Sequence, residues 1–413
     1  MKIRMAALLV ACLVGRAAAA WADDPLPRAR PEDVGLSSDR LARIATFAKA
    51  EIDAGQIPGA VVAVARHGKL AYFEAFGQSE KKAGTPMTTD TIFSLASMTK
   101  PMTTVAALQL YEQGRLLMDD PLSKYFPKFA DMKVAVWDDR SEGVRDTAPA
   151  ARQITLQDLM RHTSGLSYGG SGTSMLHKQY APSSNGASRT LTSQQLMDKM
   201  TGLPLAHQPG TVWEYSFGLD VLGFVVEKIT QKSLGEALQE MVWKPLGMAD
   251  AAFVVPAAKA SRYARGIEDI PSPFEKTKFE CGGGCAVATP GDYLRFASML
   301  LDGGKLGDTR LLGRKTVEYM TANQLPPGTR SQLRGNYADW GFGLSVAVRT
   351  TEGVARDTGS VGTFSWPGGY GTYWWVDPKE ELVVVWMAPT PVGPTQLRYR
   401  HTVNALVNQA LVD

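Results

Sequence analysis

Strand-like segments in this chain are gathered at its two ends, and that distribution limits the available folds more than any other feature. Residues 59–65 are apolar and valine-rich, His67-Gly68 supplies a turn, and residues 70–76 follow, the signature of a β-hairpin. Comparable segments return only near the end, at 342–348, 372–376 and 382–386. Between them the pattern is helical. Residues 101–116 are amphipathic and stop at Gly114. Thr155-x-x-Asp158, Ser233-x-x-Glu236 and Thr289-Pro290-x-Asp292 read as helix starts with capping-box or proline-first chemistry. Residues 38–52, with Ser37 or Ser38 as N-cap, and residues 396–411 add a helix at each end. Residues 168–190, rich in Gly and Ser, read as a long loop. Strand and helix do not alternate, so a parallel sheet is disfavoured. The expected fold is α+β: one antiparallel sheet assembled from the N- and C-terminal segments, flanked by helices. The implied division is 23–95 with 285–413 as an α/β domain, and 96–284 as a mostly helical insertion.

Composition excludes several function classes. The 413 residues are 44% hydrophobic, with 44 Lys+Arg against 41 Asp+Glu. That is too apolar for disorder and lacks the basic excess that holds nucleic acid. The net charge of +3 resides in the first residues, where Lys2, Arg4 and Arg16 stand without any acid. Lys2 and Arg4, the short apolar run 5–14 and Ala20-Trp21-Ala22 form a secretory signal pattern, cut after Ala22. The alternative is a lipoprotein anchored at Cys12, because Leu9-Val10-Ala11-Cys12 resembles a lipobox. The run is too short to span a membrane. The expected mature chain carries 41 basic and 41 acidic residues and is exported to the periplasm or secreted. Its remaining cysteines, Cys281 and Cys285, flank Gly282-Gly283-Gly284. They are either a small disulfide ring or two free thiols. No metal-ligand pattern accompanies them, and no cofactor is expected.

An exported chain without metal ligands invites a search for an activated serine. Ser97-Met98-Thr99-Lys100 is an S-x-x-K. On a helix, residues three apart share a face, so hydroxyl and amine can meet. Pro101 belongs in a first helical turn, which puts Ser97 at a helix start, where free N–H groups favour a developing anion. The motif alone is weak, since a chain of this composition carries about one by chance. Indeed Ser79-Glu80-Lys81-Lys82 is another, read as a solvated hairpin turn. Gly165-Leu166-Ser167-Tyr168-Gly169 has the form G-x-S-x-G. It follows a helical segment rather than a strand, which is the wrong setting for a nucleophile elbow. His162 reads as a structural hydrogen-bonder in that turn. His67, His177, His207 and His401 have no motif around them and read as surface or packing residues.

Taken in order, the segments resemble the serine β-lactamase and penicillin-binding-protein superfamily, closest to its family VIII carboxylesterase branch. The landmarks are Phe93 to Lys100, His162-Thr163-Ser164-Gly165-Leu166, Trp213-Glu214-Tyr215-Ser216, the triple glycine 282–284, and Trp366-Pro367-Gly368-Gly369. The resemblance implies Ser97 as nucleophile, with Lys100 and Tyr215 sharing the base role. A lysine cation beside a phenol favours phenolate, which can take and return a proton. It also implies an oxyanion hole from the Ser97 and Gly369 N–H groups. Two departures bear on substrate. Phe217 stands where β-lactamases carry the Asn of Y-x-N, and Trp366-Pro367-Gly368 stands where they carry K-T-G. The amide and the cation that would meet a β-lactam are absent. Trp213, Phe217, Trp366 and Gly368 are therefore expected to line an apolar pocket for neutral small-molecule esters with short or medium acyl chains. A β-lactamase, a D-amino-acid peptidase, an acyltransferase and a slowly deacylating sensor are the alternatives.

Overall fold

The computed structural model describes residues 24–413 apart from 139–142, 267–269, 271, 332–336, 338–339, 354 and 391–392. The expected signal segment, its expected cut after Ala22 and the alternative anchor Cys12 lie outside the described residues.

Gly59–Arg66 is the seam of the molecule. On one side it pairs antiparallel with Lys69–Glu80, and on the other with Leu382–Met387. His67 and Gly68 both take positive φ (52° and 71°), the two-residue turn that matches the twist of a hairpin. Among the described residues the sheet has eight strands, all antiparallel. Their order is Gly341–Phe342, Ala347–Val348, Phe364–Ser365, Thr372–Asp377, Leu382–Met387, Gly59–Arg66, Lys69–Glu80, Thr85–Pro86. The two ends of the chain thus build one sheet, as the distribution of strand signals requires.

Helices cover both faces and fill the middle of the chain. They are α1 (Ser38–Asp53), α2 (Thr99–Glu112), α3 (Leu156–Met160), α4 (Ser184–Thr190), α5 (Ser193–Thr201), α6 (Gly218–Thr230), α7 (Leu234–Leu238), α8 (Pro290–Leu301), α9 (Arg314–Thr321) and α10 (Pro394–Asn408). Ala60, Val62 and Val64, with Trp375, Val384 and Trp386, pack against Leu41 and Ile44 of α1 and Val403 and Val407 of α10. The alternate residues Val61, Ala63 and Ala65, with Trp374, Val383 and Val385, join Leu294 and Ala297 of α8 and the core of the helical region. Both faces of the seam are buried, which explains why it reads as an unbroken apolar run rather than an alternating one. The expected caps form. Ser37 accepts from Arg40 N, and the capping boxes at Thr155/Asp158, Ser233/Glu236 and Thr289/Asp292 are complete.

Three sequence expectations need correction. Residues 342–348 do not form one strand. Gly343 N donates to Val346 O and Ser345 takes φ +65°, so the chain reverses between two short strands. Residues 168–190 are not loop throughout, because they contain a 3-10 turn at His177–Gln179 and helix α4. That helix reads Ser-Asn-Gly-Ala-Ser-Arg-Thr, has no apolar stripe, and is anchored by side chains described below. Ser79 is buried rather than solvated, with its hydroxyl directed at the Thr85 and Pro86 carbonyls. Cys281 and Cys285 are joined as a disulfide, with their Cα atoms 5.3 Å apart. Among the described residues, no helix is long and apolar enough to cross a membrane.

Candidate active site

The approach to Ser97 is an extended strand forced into a tight turn. Phe93–Ser94 pairs with Val287–Ala288, and Leu95 N donates to Ala286 O. Ala96 then takes φ +45°, a strained value for a residue with a Cβ, and a 3-10 turn over Ala96–Met98 runs into α2. Thr99 fixes this turn from below: its hydroxyl donates to Ala96 O at 2.7 Å and accepts from Ala286 N at 3.1 Å. Ser97 is left half-buried at the mouth of the helix, and Lys100 is fully buried one turn on.

Tyr215 arrives from the other side. It follows Val212–Trp213, which pairs with Arg330–Ser331, and precedes α6. Its hydroxyl lies 2.6 Å from Ser97 Oγ, and Lys100 Nζ lies 3.3 Å from the same oxygen. The ammonium also sits 4.4 Å from the centre of the Tyr215 ring. Trp366 Nε1 donates to the Tyr215 hydroxyl at 3.3 Å. The S-x-x-K pair and the tyrosine implied by the resemblance therefore converge on one hydroxyl. An amine and a phenol within hydrogen-bond reach of a serine oxygen can remove its proton and return it to a leaving group.

The third wall is the turn after Phe364–Ser365. Gly368 N donates to Thr372 O at 2.8 Å, so that amide is already engaged. A Cβ on Gly368 would stand 2.2 Å from the Leu95 carbonyl and 2.0 Å from Thr372 Oγ1, so glycine is required where this turn closes on the Ser97 segment. Gly369 O accepts from Gln396 of α10. Trp366 touches Tyr215, with ring centres 5.5 Å apart. The other expected pocket residues are placed differently. Phe217 is completely buried against Tyr168, ring centres 4.3 Å apart, and Trp213 is buried among His162, Phe342 and Trp366. They back the site rather than line it, because both precede or open α6 on its core side.

Buried polar groups form the floor. Asp158, inside the capping box of α3, is paired with Arg152 and Arg161 and accepts from Thr163 Oγ1. Burial pushes its carboxyl up, but the Arg152 and Thr155 hydrogen bonds outweigh that and leave it below its ordinary value. His162 takes φ +58°, packs tilted against the Tyr215 ring with centres 4.6 Å apart, and reaches Ser216 Oγ through Nδ1 at 3.3 Å. Burial, then the Lys100 charge, push this imidazole well below its usual value. It is a structural hydrogen-bonder, as its position in the motif suggested.

His177 and His207 are not the isolated packing residues expected from sequence. Both Nε2 atoms meet Glu214, at 3.2 and 2.9 Å, next to Tyr215 in the chain. Burial raises the Glu214 carboxyl, but the hydrogen bonds from His177, His207 and Ser167 overcome it and hold it at about 2. This cluster ties the segment after α3 to the Tyr215 strand, where Ser171 Oγ also donates to Tyr215 O at 2.7 Å. Ser167 is buried in that role, away from solvent. No signal at sequence level links residues 37 positions apart, so only folding reveals the cluster. Among the described residues, no group of His, Cys, Asp and Glu is arranged to hold a metal ion.

Fold and site together define a class, the serine hydrolases built on the β-lactamase fold. Residues 44–409 match the Beta-lactamase family, and the chain belongs to that family. It is 37% identical over 357 residues to the protein Rv1367c of Mycobacterium tuberculosis, covering 81% of this chain and 86% of that protein. It is 31% identical over 384 residues to esterase EstB of Burkholderia gladioli, covering 85% and 91%. Among solved structures it resembles EstCE1, described as a hydrolase with promiscuous acyltransferase activity. The TM-score is 0.74 at 27% identity, over 89% of this chain and 98% of that one.

Proposed function

We propose that this protein is a carboxylesterase that cleaves neutral esters of short or medium acyl chains through an acyl-enzyme on Ser97. The observation that carries the reading is the Ser97 oxygen held between Tyr215 OH at 2.6 Å and Lys100 Nζ at 3.3 Å. Tyr215, supported by Lys100, takes the Ser97 proton as Oγ attacks the ester carbonyl. The C–O bond to the alcohol breaks, and the same proton passes to the leaving alkoxide. Water then attacks the acyl-enzyme along the reverse path and releases the acid. The Ser97 and Gly369 amides hold the oxyanion. Support for esters over lactams comes from Trp366, which stands where a lactam carboxylate would need a cation and instead packs on Tyr215.

The test compares hydrolysis of p-nitrophenyl butyrate, a chromogenic cephalosporin and a D-Ala-D-Ala peptide, with peptide mapping after a serine-reactive phosphonate. Ester turnover with label on Ser97 is expected. Label on Ser167 alone, or a preference for either amide-type substrate, overturns the proposal. Acyl transfer is the second reading, favoured by the likeness to EstCE1. It is read as ester product rising with added alcohol. We also propose export through the basic and apolar leader, and Asp23 is then the N-terminal residue found by sequencing the protein recovered outside the cytoplasm.

A further inference from the structure

Lys100 has a second close acceptor besides Ser97. Its Nζ donates to Gly283 O at 2.5 Å. Gly283 is the centre of the glycine strap 282–284, which the Cys281–Cys285 disulfide closes at its base. The strap is seated by direct contact on the first turn of α6. A Cβ on Gly282 would stand 2.6 Å from Leu219 O, and one on Gly283 would stand 2.4 Å from Asp220 Oδ2. Gly283 N donates to Asp220 Oδ1 at 3.0 Å. The other Asp220 oxygen meets Ser184 Oγ at 2.7 Å and Tyr168 OH at 3.3 Å. Donors on both oxygens are the pattern of a carboxylate. Asp220 is completely buried, so its charge needs a partner inside the protein. Lys100 is the cation on the far side of Gly283.

We infer that Asp220 is a positioning residue for Lys100: through Gly283 it fixes the carbonyl that holds the amine, and its buried charge balances the ammonium. The inference rests on the Ser97, Lys100 and Tyr215 reading above. It gives the glycine strap a task, that of linking a carboxylate on α6 to the base on α2 through the two backbone groups of one residue. It also gives α4 a task, since Ser184 is its first residue and secures Asp220.

The titratable groups around this pair come from each packed element. Lys100 belongs to α2, His162 follows α3, Tyr168 lies beyond it, and Tyr215 precedes α6, while α4 contributes Ser184 and the strap only backbone. Burial pushes the Asp220 carboxyl above its ordinary value, opposed by Lys100, Ser184, Gly283 and Tyr168. A buried anion favours the charged amine. A cation beside a phenol favours its deprotonated form, so loss of the anion that supports that cation is expected to weaken the base.

The experiment uses the purified full chain and Asp220→Asn, which keeps the size of the side chain and removes its charge. The pH dependence of kcat/KM for p-nitrophenyl butyrate is measured beside phosphonate labelling of the parent chain. Removing a negative charge makes the Lys100–Tyr215 pair give up its first proton more easily. The acid limb is expected to move down by about one pH unit, and the plateau to fall about tenfold. Asp220→Glu, which keeps the charge, keeps the limb in place. A uniform loss at all pH values with the limb unmoved, or an unchanged profile, overturns the inference. If near-UV circular dichroism shows Asp220→Asn to be unfolded, Ser184→Ala, which removes one donor from the carboxylate, decides. A smaller shift in the same direction supports the inference, and none overturns it. Failure of the underlying reading is seen separately, as no label on Ser97 in the parent chain.

Discussion

The sheet and the floor of the site are both buried, yet they are held in opposite ways. Across the sheet, Val61, Val62, Trp374, Val384 and Trp386 present apolar side chains on both faces, and burial of apolar area supplies the stabilisation. Under the site, three buried carboxylates do the holding. Asp158 secures the turn at His162, Glu214 secures the segment around His177, and Asp220 secures the glycine strap. Apolar packing tolerates small shifts, whereas a carboxylate bound by several donors fixes direction as well as distance. A reaction that depends on one oxygen lying within hydrogen-bond reach of two other groups needs the second kind of support.

The largest test of that contrast is Ser97→Ala. It is expected to lower ester turnover by about 10⁴-fold or more while the melting temperature stays within error, because no packing is lost. Next come two substitutions of similar cost and different consequence. Trp374→Ala opens the sheet core beside Tyr293, Phe296 and Phe364 and is expected to cost about 3–5 kcal/mol. Its folded fraction retains kcat. Asp158→Ala leaves the buried Arg161 charge without its partner and is expected to cost about 3–5 kcal/mol as well. Here kcat falls even in the folded fraction, since the turn carrying His162 loosens against Tyr215. Urea unfolding measured beside active-site titration separates the two, and equal kcat losses would erase the distinction drawn between the regions.

Glu214 gives a pH-dependent test of intermediate size. Its carboxyl is held at about 2 in the folded protein against an ordinary 4.5. A depressed acid contributes its stabilisation in full above pH 4.5 and loses it as the pH falls toward 2, a change of roughly 3 kcal/mol. Urea midpoints measured from pH 6 down to pH 3 should fall for the parent chain and fall less for Glu214→Gln. The smallest effect is expected at the disulfide. Cys281→Ser with Cys285→Ser removes a four-residue closure worth about 2 kcal/mol or less. Its signature is a few-fold loss of kcat, because the strap holding Lys100 gains freedom, and an unchanged kcat would show that the hydrogen bonds from Thr103 and to Asp220 keep the strap in place without the disulfide.

What was legible in the sequence was local. The turn at His67-Gly68, the capping boxes and the S-x-x-K spacing each depend on residues a few positions apart, and each is found where its motif places it. Tyr215 was reached only through resemblance, since a lone tyrosine carries no spacing signal, yet it stands at Ser97. The floor was not legible. His177 and His207 meet at Glu214 only after the chain has folded, and α4, whose residues do not favour helix, is anchored by Ser184 on Asp220, 36 positions away. Phe217 was misplaced for a related reason. The position that carries an amide in β-lactamases suggested a pocket wall, whereas an apolar ring at the start of α6 turns inward.

The seam strand also sets an order of events. Gly59–Arg66 pairs with Leu382–Met387, a segment made more than three hundred residues later. During synthesis the hairpin therefore waits with an open, apolar edge until nearly the whole chain has emerged. A chain of this topology cannot close its centre early, which obliges it to be shielded from aggregation until its last strands arrive.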